Sequence, residues 1–432
     1  MPRVAIDNRE VTVPAGATVL LAARQLGIPI PTLCHREGHE PLNSCMVCLI
    51  KANDRLLPAC ATVVRDGMKV ESETEEILTL RRGAIELLLS DHRGECLPPC
   101  QRACPAGVNL PLLLHHLAAG EPQQAITELK RFVALPATLS RLCAAHCQKA
   151  CRLNLVDSPV MLCDLARYAA DTDVEASEPG TPPLQTDSGK RVAIFGGGPA
   201  GLSAAYYLRQ AGHGCVLFES RRQPGGVLRE AARAGRLPPE LLDREISLIT
   251  RLGLDVRLGA TVGQSVPVDE LRESFDALLV ATGKLSSASG ADVAKALKLD
   301  LAKRGIRVDP ATLTTSSPGV FAAGDAARPS AIVARAMAGG RRAARSIDLY
   351  LRGRELVADI SPFSLHMGKL DPDELNRLVA AGGGLTDHDR RAAPEAGRMI
   401  LTETEAKAEA RRCIDCGCLE AATCKLRAHA QR

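Results

Sequence analysis

Residues 191–201 have the sequence RVAIFGGGPAG, and this stretch decides the fold of the middle of the chain. Residues 191–195 predict a buried parallel strand, and the glycines that follow complete the pattern G-x-G-x-x-G. Residues 202–210 predict a helix, and Cys215–Glu219 predicts a second strand that ends in an acid. A strand, a glycine-rich turn and a helix in this order predict a Rossmann-like fold that binds a dinucleotide.

The pattern also indicates how a dinucleotide would be held. Amide groups at the start of the helix would bind the pyrophosphate, and Glu219, 18 residues after Gly201, would bind the ribose hydroxyls. The alternative is a glycine turn without a ligand, but the strand, helix and acid at the right distances favour the nucleotide site. The candidate binding residues are Gly196, Gly198, Pro199, Ala200, Gly201 and Glu219.

Two later segments indicate FAD rather than NAD. ALLVATG at 277–283 predicts a strand that ends at a crossover, and GVFAAGD at 319–325 predicts a strand followed by Gly and Asp. This part of the chain resembles flavoproteins with two dinucleotide-binding domains, in which the Gly-Asp pair contacts the flavin ribityl chain and phosphate. The resemblance implies that a small-residue helix at 329–346 packs close to the isoalloxazine. It adds these candidates to the FAD site: Gly226, Thr282, Gly324 and Asp325.

The distance between those two segments argues against a second nucleotide domain. Only 35 residues separate Gly283 from Gly319, whereas such a domain needs about 100. We therefore expect residues 191–352 to form an FAD-binding domain without its own nicotinamide site. A polar linker at 171–190 precedes it.

The most unusual feature of the composition is its number of cysteines, sixteen. The sequence contains no Trp. The amino terminus has no signal segment and no apolar run approaches the roughly 18 residues that span a bilayer, so we expect a cytoplasmic protein with reduced thiols. Metal or cluster ligands are then favoured over disulfides. The 54 Lys and Arg residues nearly balance 50 Asp and Glu residues, for a net charge of +4, and give no reason to expect nucleic acid.

The first cysteine group has the spacing C-x10-C-x2-C-x11-C. Its members are Cys34, Cys45, Cys48 and Cys60. Residues 3–13 predict a hairpin and 15–26 a helix, and such a strand–helix–loop frame with four thiolates suits a [2Fe–2S] cluster. A structural zinc site is the alternative.

The sequence around this group resembles the amino-terminal ferredoxin domain of the large iron–sulfur subunit of complex I and of NADH-linked hydrogenases. The matching segments are TLC at 32–34, SCMVC at 44–48, AC at 59–60 and DGM at 66–68. The resemblance implies a β-grasp ferredoxin domain over residues 1–82.

The second group consists of two triplets, each spaced C-x3-C-x3-C. They are Cys96, Cys100 and Cys104, then Cys143, Cys147 and Cys151. Pro105 follows the first triplet, and a Cys-Pro ending is a feature of [4Fe–4S] sites whose last Cys often serves a second cluster. Two clusters need eight ligands and the triplets supply six. Residues 83–170, with helices near 109–119 and 122–132, are predicted to form an α-helical domain with two [4Fe–4S] clusters.

This stretch resembles the amino-terminal helical domain of the glutamate synthase small subunit. The shared features of this stretch are CP at 104–105, the second triplet and PV at 159–160. In the middle segment, LP at 237–238 and LDREI at 242–246 are a further match to the same family. In that family the triplets interleave. The resemblance therefore implies one cluster on Cys96, Cys100 and Cys151, and another on Cys104, Cys143 and Cys147.

The two remaining ligands are assigned less directly. His92 lies where the complex I subunit has a His ligand, and it is the candidate for the family's missing first Cys. The family's carboxylate position aligns with Ala166, which cannot bind iron, and Cys163 one turn earlier is the candidate there. The alternatives are a solvated His92 and a buried Cys163 that binds nothing.

The third group, C-x2-C-x-C-x5-C, lies in the carboxyl-terminal extension, residues 353–432, after a charged helix predicted at 403–412. Its members are Cys413, Cys416, Cys418 and Cys424. The spacing suits a third [4Fe–4S] cluster or a zinc ion. It resembles a tail found in cluster-bearing relatives of this flavoprotein group, and the cluster is the favoured interpretation.

Taken together, the motifs predict an α+β multidomain chain with a β-grasp ferredoxin domain, a helical double-cluster domain, an α/β Rossmann-like FAD domain and a Cys-rich tail. Clusters move single electrons and a flavin exchanges one or two. We expect an electron-transfer subunit of a multisubunit, NAD(P)-linked oxidoreductase, in which the FAD either relays or bifurcates electrons.

The expected partners are a subunit that resembles the FMN- and NADH-binding subunits of complex I and a catalytic subunit such as a hydrogenase or a formate dehydrogenase. The alternative is a freestanding FAD-dependent NAD(P)H oxidoreductase that reduces ferredoxin or quinone. A third class is a non-catalytic scaffold that carries clusters beside an empty nucleotide fold.

Overall fold

The computed structural model describes most of the 432 residues. The described residues are 1–90, 95–176, 179–180, 183–285, 288–357, 364, 371–381, 401–419 and 424–430. The candidate ligand His92 lies outside the described residues. All sixteen cysteines lie within them, and each is a free thiol.

The described residues form 12 strands and 17 α-helices. The strands are β1 (Arg3–Ile6), β2 (Arg9–Thr12), β3 (Leu49–Ala52), β4 (Arg55–Pro58), β5 (Met68–Glu71), β6 (Arg191–Phe195), β7 (Gly214–Glu219), β8 (Asp255–Leu258), β9 (Ala277–Val280), β10 (Leu301–Ala302), β11 (Gly305–Ile306) and β12 (Val320–Ala322). The helices are α1 (Val19–Gln25), α2 (Glu75–Ser90), α3 (Pro99–Ala103), α4 (Leu110–Ala119), α5 (Pro122–Lys130), α6 (Pro136–Leu142), α7 (His146–Lys149), α8 (Leu162–Glu175), α9 (Pro199–Gln210), α10 (Val227–Arg233), α11 (Pro239–Thr250), α12 (Val268–Ser274), α13 (Ala288–Ala296), α14 (Val333–Leu351), α15 (Pro372–Ala381), α16 (Glu403–Ala410) and α17 (Lys425–Ala430).

The chain divides into two compact units. The amino-terminal unit contains the described residues up to Leu97, together with Ser364 and helix α17. The larger unit contains the described residues from Pro98 to Val357, helix α15 and residues 401–419.

The amino-terminal unit is built on a five-stranded sheet in the order β2-β1-β5-β3-β4. Strand β1 is antiparallel to β2 and parallel to β5, and β3 is antiparallel to β4 and β5. The two hairpins turn at Asp7-Asn8 and Asn53-Asp54, and all four of these residues have positive φ. Helix α1 buries Val19, Leu20, Ala22 and Ala23 in the core of this sheet. The predicted hairpin, helix and strand therefore belong to one ferredoxin-type domain.

The larger unit begins with helices α3–α8, whose apolar faces share a core with the nucleotide-binding half. That half contains a parallel sheet in the order β12-β9-β6-β7-β8. Central strand β6 pairs Ile194 with Leu217 of β7 and with Leu279 of β9. Helix α9 follows β6 and packs against α14. The glycine-rich run at 196–201 therefore lies at the carboxyl end of the central strand, where parallel α/β sheets bind ligands.

The polar linker predicted to begin at residue 171 is wrong for its first five residues, because helix α8 continues to Glu175. Asp171 forms a two-pronged ion pair with Arg141 at 2.7 and 2.9 Å, and Asp173 pairs with Lys130. Acids that look solvated in the sequence are buried here by partners on α6 and α5.

Within the described residues, none of the helices combines the length and the apolar character that crossing a bilayer requires.

Glu245 connects the nucleotide-binding half to the helical domain. Its two carboxyl oxygens accept hydrogen bonds from the amides of Ala137 and Thr138, at 2.8 and 2.7 Å, at the start of α6. Neither of these two residues exposes any surface, and α6 has no side-chain cap of its own. Glu245 on α11 therefore serves as a cap for α6 from another part of the chain.

We expect Glu245→Ala to lower the free energy of unfolding by about 2–6 kcal/mol, because two buried amides lose their acceptors at about 1–3 kcal/mol each. Denaturant titration of the purified protein measures this loss. The control is Glu240→Ala on the same helix, where the side chain is exposed and the expected change is within about 0.5 kcal/mol. Equal stabilities of the two variants would contradict the capping role.

The same carboxyl group gives the stability a pH dependence. Burial raises the pKa of Glu245 from 4.5 to about 7, against the hydrogen bonds from Thr138 and Ala137. The folded chain then holds a proton that the unfolded chain releases, so the free energy of unfolding falls as the pH rises from 4.5 through 7. Glu245→Gln should remove this part of the pH dependence.

Candidate functional site

A cavity of about 640 Å³ opens at the carboxyl ends of β6, β7 and β9. This volume lies in the range of small-molecule and cofactor sites. Of the ten residues predicted for the FAD site, eight line the cavity. They are Gly196, Gly198, Pro199, Ala200, Glu219, Gly226, Thr282 and Asp325. The other two, Gly201 and Gly324, do not line the cavity themselves. They pack against residues that do, since a Cβ on Gly201 would meet Gly196 and one on Gly324 would meet Ala200.

The glycines of the loop have different roles. A Cβ on Gly198 would meet no atom of the described residues within 4 Å, so this residue leaves open space at the start of α9. A Cβ on Gly201 would lie 1.9 Å from the carbonyl oxygen of Gly196, so α9 packs directly against the loop. The loop is thus a cradle in which backbone amides at a helix amino terminus face a space of suitable size for a phosphate.

Polar groups around the cradle have the chemistry that a dinucleotide needs. The buried carboxylate of Glu219 accepts hydrogen bonds from the amides of Gly197 and Arg221, both at 2.8 Å. Asp325 accepts one from the amide of Ser330 at 2.9 Å. The hydroxyl of Thr282 is buried at the cavity wall and has no hydrogen-bond partner among the described residues. These groups fit a ligand with ribose hydroxyls and phosphates.

One wall residue was missed at the level of sequence. Leu142, the last residue of α6, lines the cavity although it belongs to the helical domain. The signal for it is its place directly before Cys143. The cavity wall at Leu142 and the second cysteine triplet, which begins at Cys143, are therefore adjacent in the sequence.

In the amino-terminal unit, the four cysteines predicted for the [2Fe–2S] cluster come together. Burial, together with the neighbouring sulfurs of Cys48, Cys34 and Cys45, raises the pKa of Cys60 to about 12. Burial also raises the pKa of Cys34, but hydrogen bonds from Cys45 and Ser44 outweigh it and lower the pKa below its usual value. Four thiols in mutual electrostatic reach, with amide donors aimed at them, fit the ligand set of a [2Fe–2S] cluster.

Arg81 is a residue of this site that the sequence analysis did not identify. It is 6% exposed, and its Nε donates to the carbonyl oxygen of Leu49, the residue after Cys48, at 2.9 Å. Burial lowers the pKa of its guanidinium, while negative charge at Cys48 opposes that shift. Its Nη2 has no hydrogen-bond partner in the described part of the chain. A buried positive charge next to the thiolates would favour the reduced, more negative state of a cluster.

We expect Arg81→Gln to lower the reduction potential of the [2Fe–2S] cluster by roughly 50–100 mV, which corresponds to about 1–2 kcal/mol for one electron. A redox titration followed by low-temperature EPR measures this potential. Arg82→Gln is the matched control, because Arg82 is the exposed neighbour on the same helix. Arg81→Lys keeps the charge, and a large fall in potential for that variant as well would contradict the electrostatic explanation.

In the helical domain, Cys163 meets two members of the second triplet. A hydrogen bond from the Cys163 thiol lowers the pKa of Cys143 to about 6 and also lowers that of Cys147. The same contacts raise the pKa of Cys163. Cys104 lies close enough to Cys147 to feel its charge. These four sulfurs form one group, which fits the composition of a [4Fe–4S] ligand set.

The remaining candidates are distributed between the two units. Cys100 lies within electrostatic reach of Cys416, Cys413 and Cys151, all in the larger unit. Cys96 and Cys424 belong to the amino-terminal unit. Across the described residues, no three or more His, Cys, Asp or Glu side chains are placed closely enough to hold a single metal ion.

Three stretches of the chain match models of known domain families. Residues 3–75 match a 2Fe-2S iron-sulfur cluster binding domain. Residues 93–178 match domain II of dihydropyrimidine dehydrogenase, described as a 4Fe-4S cluster domain. Residues 194–254 match an NAD(P)-binding Rossmann-like domain. The predicted fold class is thereby confirmed: iron–sulfur domains precede a Rossmann-like domain in a mixed helix and sheet chain.

Similar proteins include subunits of oxidoreductases. The chain is 34% identical over 206 residues to the NADP(+)-dependent formate dehydrogenase subunit beta of Moorella thermoacetica, which is 43% of this chain and 29% of that protein. It is 34% identical over 166 residues to the glutamate synthase (NADPH) small chain of Bacillus subtilis, which is 38% of this chain and 33% of that protein. The predicted resemblance to the glutamate synthase small subunit is confirmed. The matches span about a third or less of the length of these relatives.

A solved structure that matches is an NAD+-reducing [NiFe]-hydrogenase in the H2-reduced state, with 35% identity and a TM-score of 0.19. The match covers 20% of this chain and 37% of the hydrogenase chain.

Proposed function

We propose that this chain is an electron-transfer component of a multisubunit NAD(P)-linked oxidoreductase. In this proposal it holds a [2Fe–2S] cluster, two [4Fe–4S] clusters and FAD. The observation that carries the proposal is the junction at Leu142 and Cys143, where the wall of the dinucleotide cavity continues directly into the thiol group of the helical domain. A cavity and a cluster site that share adjacent residues are suited to the passage of electrons between them.

Different residues of the chain have different roles in holding the proposed cofactors. When bound, the clusters supply single-electron transfer and the flavin exchanges one or two electrons. The amide groups at the start of α9 bind the pyrophosphate, and Glu219 binds the ribose hydroxyls. Leu142, Ile332 and Val333 give the cavity an apolar wall that excludes water. Thr282 offers its unpaired hydroxyl to the ligand.

The hydride chemistry belongs to partners in this proposal. The 35 residues between Gly283 and Gly319 are too few for a nicotinamide domain, and the described ones form α13 and the short strands β10 and β11. One partner would resemble the FMN- and NADH-binding subunits of complex I, and the other would be a catalytic subunit such as a formate dehydrogenase or a hydrogenase. The name of the Moorella relative, a formate dehydrogenase subunit, supports this choice. Sixteen free thiols favour a reducing, cytoplasmic location.

The test is the iron, acid-labile sulfide and flavin content of anaerobically purified protein, together with low-temperature EPR. We expect about 10 iron atoms and one FAD per chain, or about 14 iron atoms if the tail holds a cluster of its own. An iron content near two would contradict the double-cluster domain. Flavin well below one per chain would favour a scaffold with an empty nucleotide fold.

A second candidate is a freestanding FAD-dependent reductase that takes hydride directly from NADH or NADPH and reduces ferredoxin or quinone. The observation that favours it is the match of residues 194–254 to an NAD(P)-binding domain. Stopped-flow mixing of the isolated chain with NADH and with NADPH separates the two functions. Prompt bleaching of the flavin absorbance by either nucleotide would favour the freestanding enzyme, and slow or absent bleaching the subunit.

A further inference from the structure

The carboxyl-terminal segment 401–419 lies against the helical domain in the larger unit. Helix α16 begins with a complete capping box, in which Thr402 and Glu405 satisfy each other's backbone amides. It packs on α4 and α8, and the carboxylate of Glu409 accepts a hydrogen bond from the amide of Met161 at 2.9 Å. The tail is therefore a structural part of the helical domain, although about 240 residues separate them in sequence.

The end of α16 is anchored beside Cys151. Arg412 is 9% exposed, and its guanidinium is held by the residues that follow Cys151. It donates to the carboxylate of Asp157 at 2.9 Å and to the carbonyl oxygen of Ser158 at 2.8 Å. These acceptors follow the single turn of helix, Arg152–Leu155, that comes directly after Cys151. Cys413, the next residue of the tail, is thereby held near the end of the second triplet.

The other end of the cysteine run is anchored beside Cys100. Gly417 touches Pro98 so closely that a Cβ on this glycine would lie 2.5 Å from the proline ring. The carbonyl oxygen of Leu419 accepts a hydrogen bond from the side-chain amide of Asn109 at 3.0 Å. Pro98 is the cap residue of α3, the helix that carries Cys100. Cys416 is thereby held near the first triplet.

The sulfurs themselves agree with these anchors. Cys100, Cys151 and Cys413 all pack against the same apolar core. Cys413 lies within electrostatic reach of Cys416 and Cys151. Cys100 likewise lies within electrostatic reach of Cys416, Cys413 and Cys151. Buried thiols in one another's electrostatic reach are costly as separate anions, and a bound iron cluster removes that cost.

We propose that Cys413 and Cys416 complete, with Cys100 and Cys151, the thiolate set of one [4Fe–4S] cluster. The tail then supplies ligands to the helical domain and does not bind a separate cluster or zinc ion. This inference rests on the proposed function, since it presumes that the helical domain holds clusters. Together with the set of Cys104, Cys143, Cys147 and Cys163, it gives the helical domain eight thiolates for two clusters. Neither His92 nor Cys96, which belongs to the amino-terminal unit, is then a ligand of these clusters. The expected iron content of the whole chain is then about 10 atoms and not about 14.

The test compares two pairs of substitutions in the full chain, purified anaerobically. One pair is Cys413→Ser with Cys416→Ser, the other is Cys100→Ser with Cys151→Ser, and a quadruple variant combines them. Each pair should lower the iron content by about four atoms and abolish the same EPR signal of the dithionite-reduced protein. The quadruple variant should lose no more than either pair. Cys215→Ala is the control, because this buried thiol lies in β7 against the carbonyl oxygen of His213 and should keep all the iron.

Other outcomes are distinguishable. Loss of about eight iron atoms in the quadruple variant, with a different EPR signal lost in each pair, would mean that the tail has its own cluster and would overturn the inference. Zinc in the wild-type protein that only the tail pair removes would overturn it as well. A wild-type protein with about two iron atoms would instead contradict the proposed function.

Folding of the variants is checked by their flavin content. Where a pair yields no soluble protein, the single Cys416→Ser variant replaces it. It should convert the four-iron cluster to a three-iron form that is visible by EPR in the oxidised protein. A soluble Cys416→Ser protein with an unaltered cluster spectrum would overturn the inference.

Discussion

Gly201→Ala is expected to lower the affinity for FAD by at least about tenfold, which corresponds to about 1.4 kcal/mol of binding free energy. The added Cβ would lie 1.9 Å from the carbonyl oxygen and 3.1 Å from the carbonyl carbon of Gly196. Both atoms belong to the backbone, so no side-chain rotation relieves the clash. Helix α9 must move away from the loop, and its amino terminus is the proposed binding site of the pyrophosphate.

Gly198→Ala is expected to weaken ligand binding without lowering the stability of the fold. Within the part of the chain that the structure describes, the new methyl group would meet no atom within 4 Å, and φ at Gly198 is −77°, which any residue adopts. The free energy of unfolding of the ligand-free protein should therefore stay within about 0.5 kcal/mol of wild type. The methyl group would occupy the cradle itself, so FAD binding should weaken although the fold is intact.

Both variants are measured by flavin released on denaturation and by the affinity of the ligand-free protein for added FAD. Gly83→Ala in helix α2 is the control, because its Cβ would also meet no atom within 4 Å and the site lies in the other unit. Iron content should be unchanged in all three variants. A Gly201→Ala protein with a full complement of tightly bound flavin would contradict the placement of the dinucleotide in this cavity.

The nucleotide-binding half was predictable because its signals are local. A buried strand, a glycine loop and a helix lie within about 20 residues, and their register follows from the pattern. The main difference is that α9 begins at Pro199 and not at Leu202. Proline is favoured in the first turn of a helix, where its missing amide is not needed, so the motif's own Pro starts the helix.

The polar linker shows where local signals fail. Asp171 and Asp173 belong to a stretch whose composition predicts solvated chain, yet both are buried in α8. Their partners Arg141 and Lys130 lie 30 and 43 residues earlier in the chain. The composition of the stretch does not reveal that the helices carrying these partners pack against it. The contacts of Arg412 with Asp157 and of Gly417 with Pro98 span still longer separations. Cysteine spacing alone therefore suggested an independent tail motif.

The group formed by Cys163 leads to the second large effect. We expect Cys163→Ala to lower the iron content from about 10 to about 6 atoms per chain, or to convert one cluster to a three-iron form. From sequence alone, a ligand and an inert buried thiol were equal alternatives. In the structure the Cys163 thiol lies within hydrogen-bond reach of both Cys143 and Cys147, so three sulfurs lie together, which an inert buried thiol would not require.

The pKa values indicate why this group is suited to iron. A hydrogen bond from Cys163 lowers the pKa of Cys143 to about 6, so that thiol is largely ionised at neutral pH, and the thiolate is the form that binds metal. The same contacts raise the pKa of Cys163, so this thiol keeps its proton until a cluster binds. Cluster binding should release that proton, and assembly should become more favourable as the pH rises.

Cys215→Ala is the matched control, since Cys215 is also a single thiol in the larger unit, outside the triplets and the tail run. Flavin content reports whether the nucleotide-binding half is still folded in each variant. If Cys163 is only a buried apolar side chain, both alanine variants keep all their iron and the EPR spectrum of the reduced protein does not change. If it is a ligand, only Cys163→Ala loses a cluster signal. The flavin of this variant should also exchange electrons with the remaining clusters more slowly, because Leu142 and Cys143 join the lost cluster to the cavity.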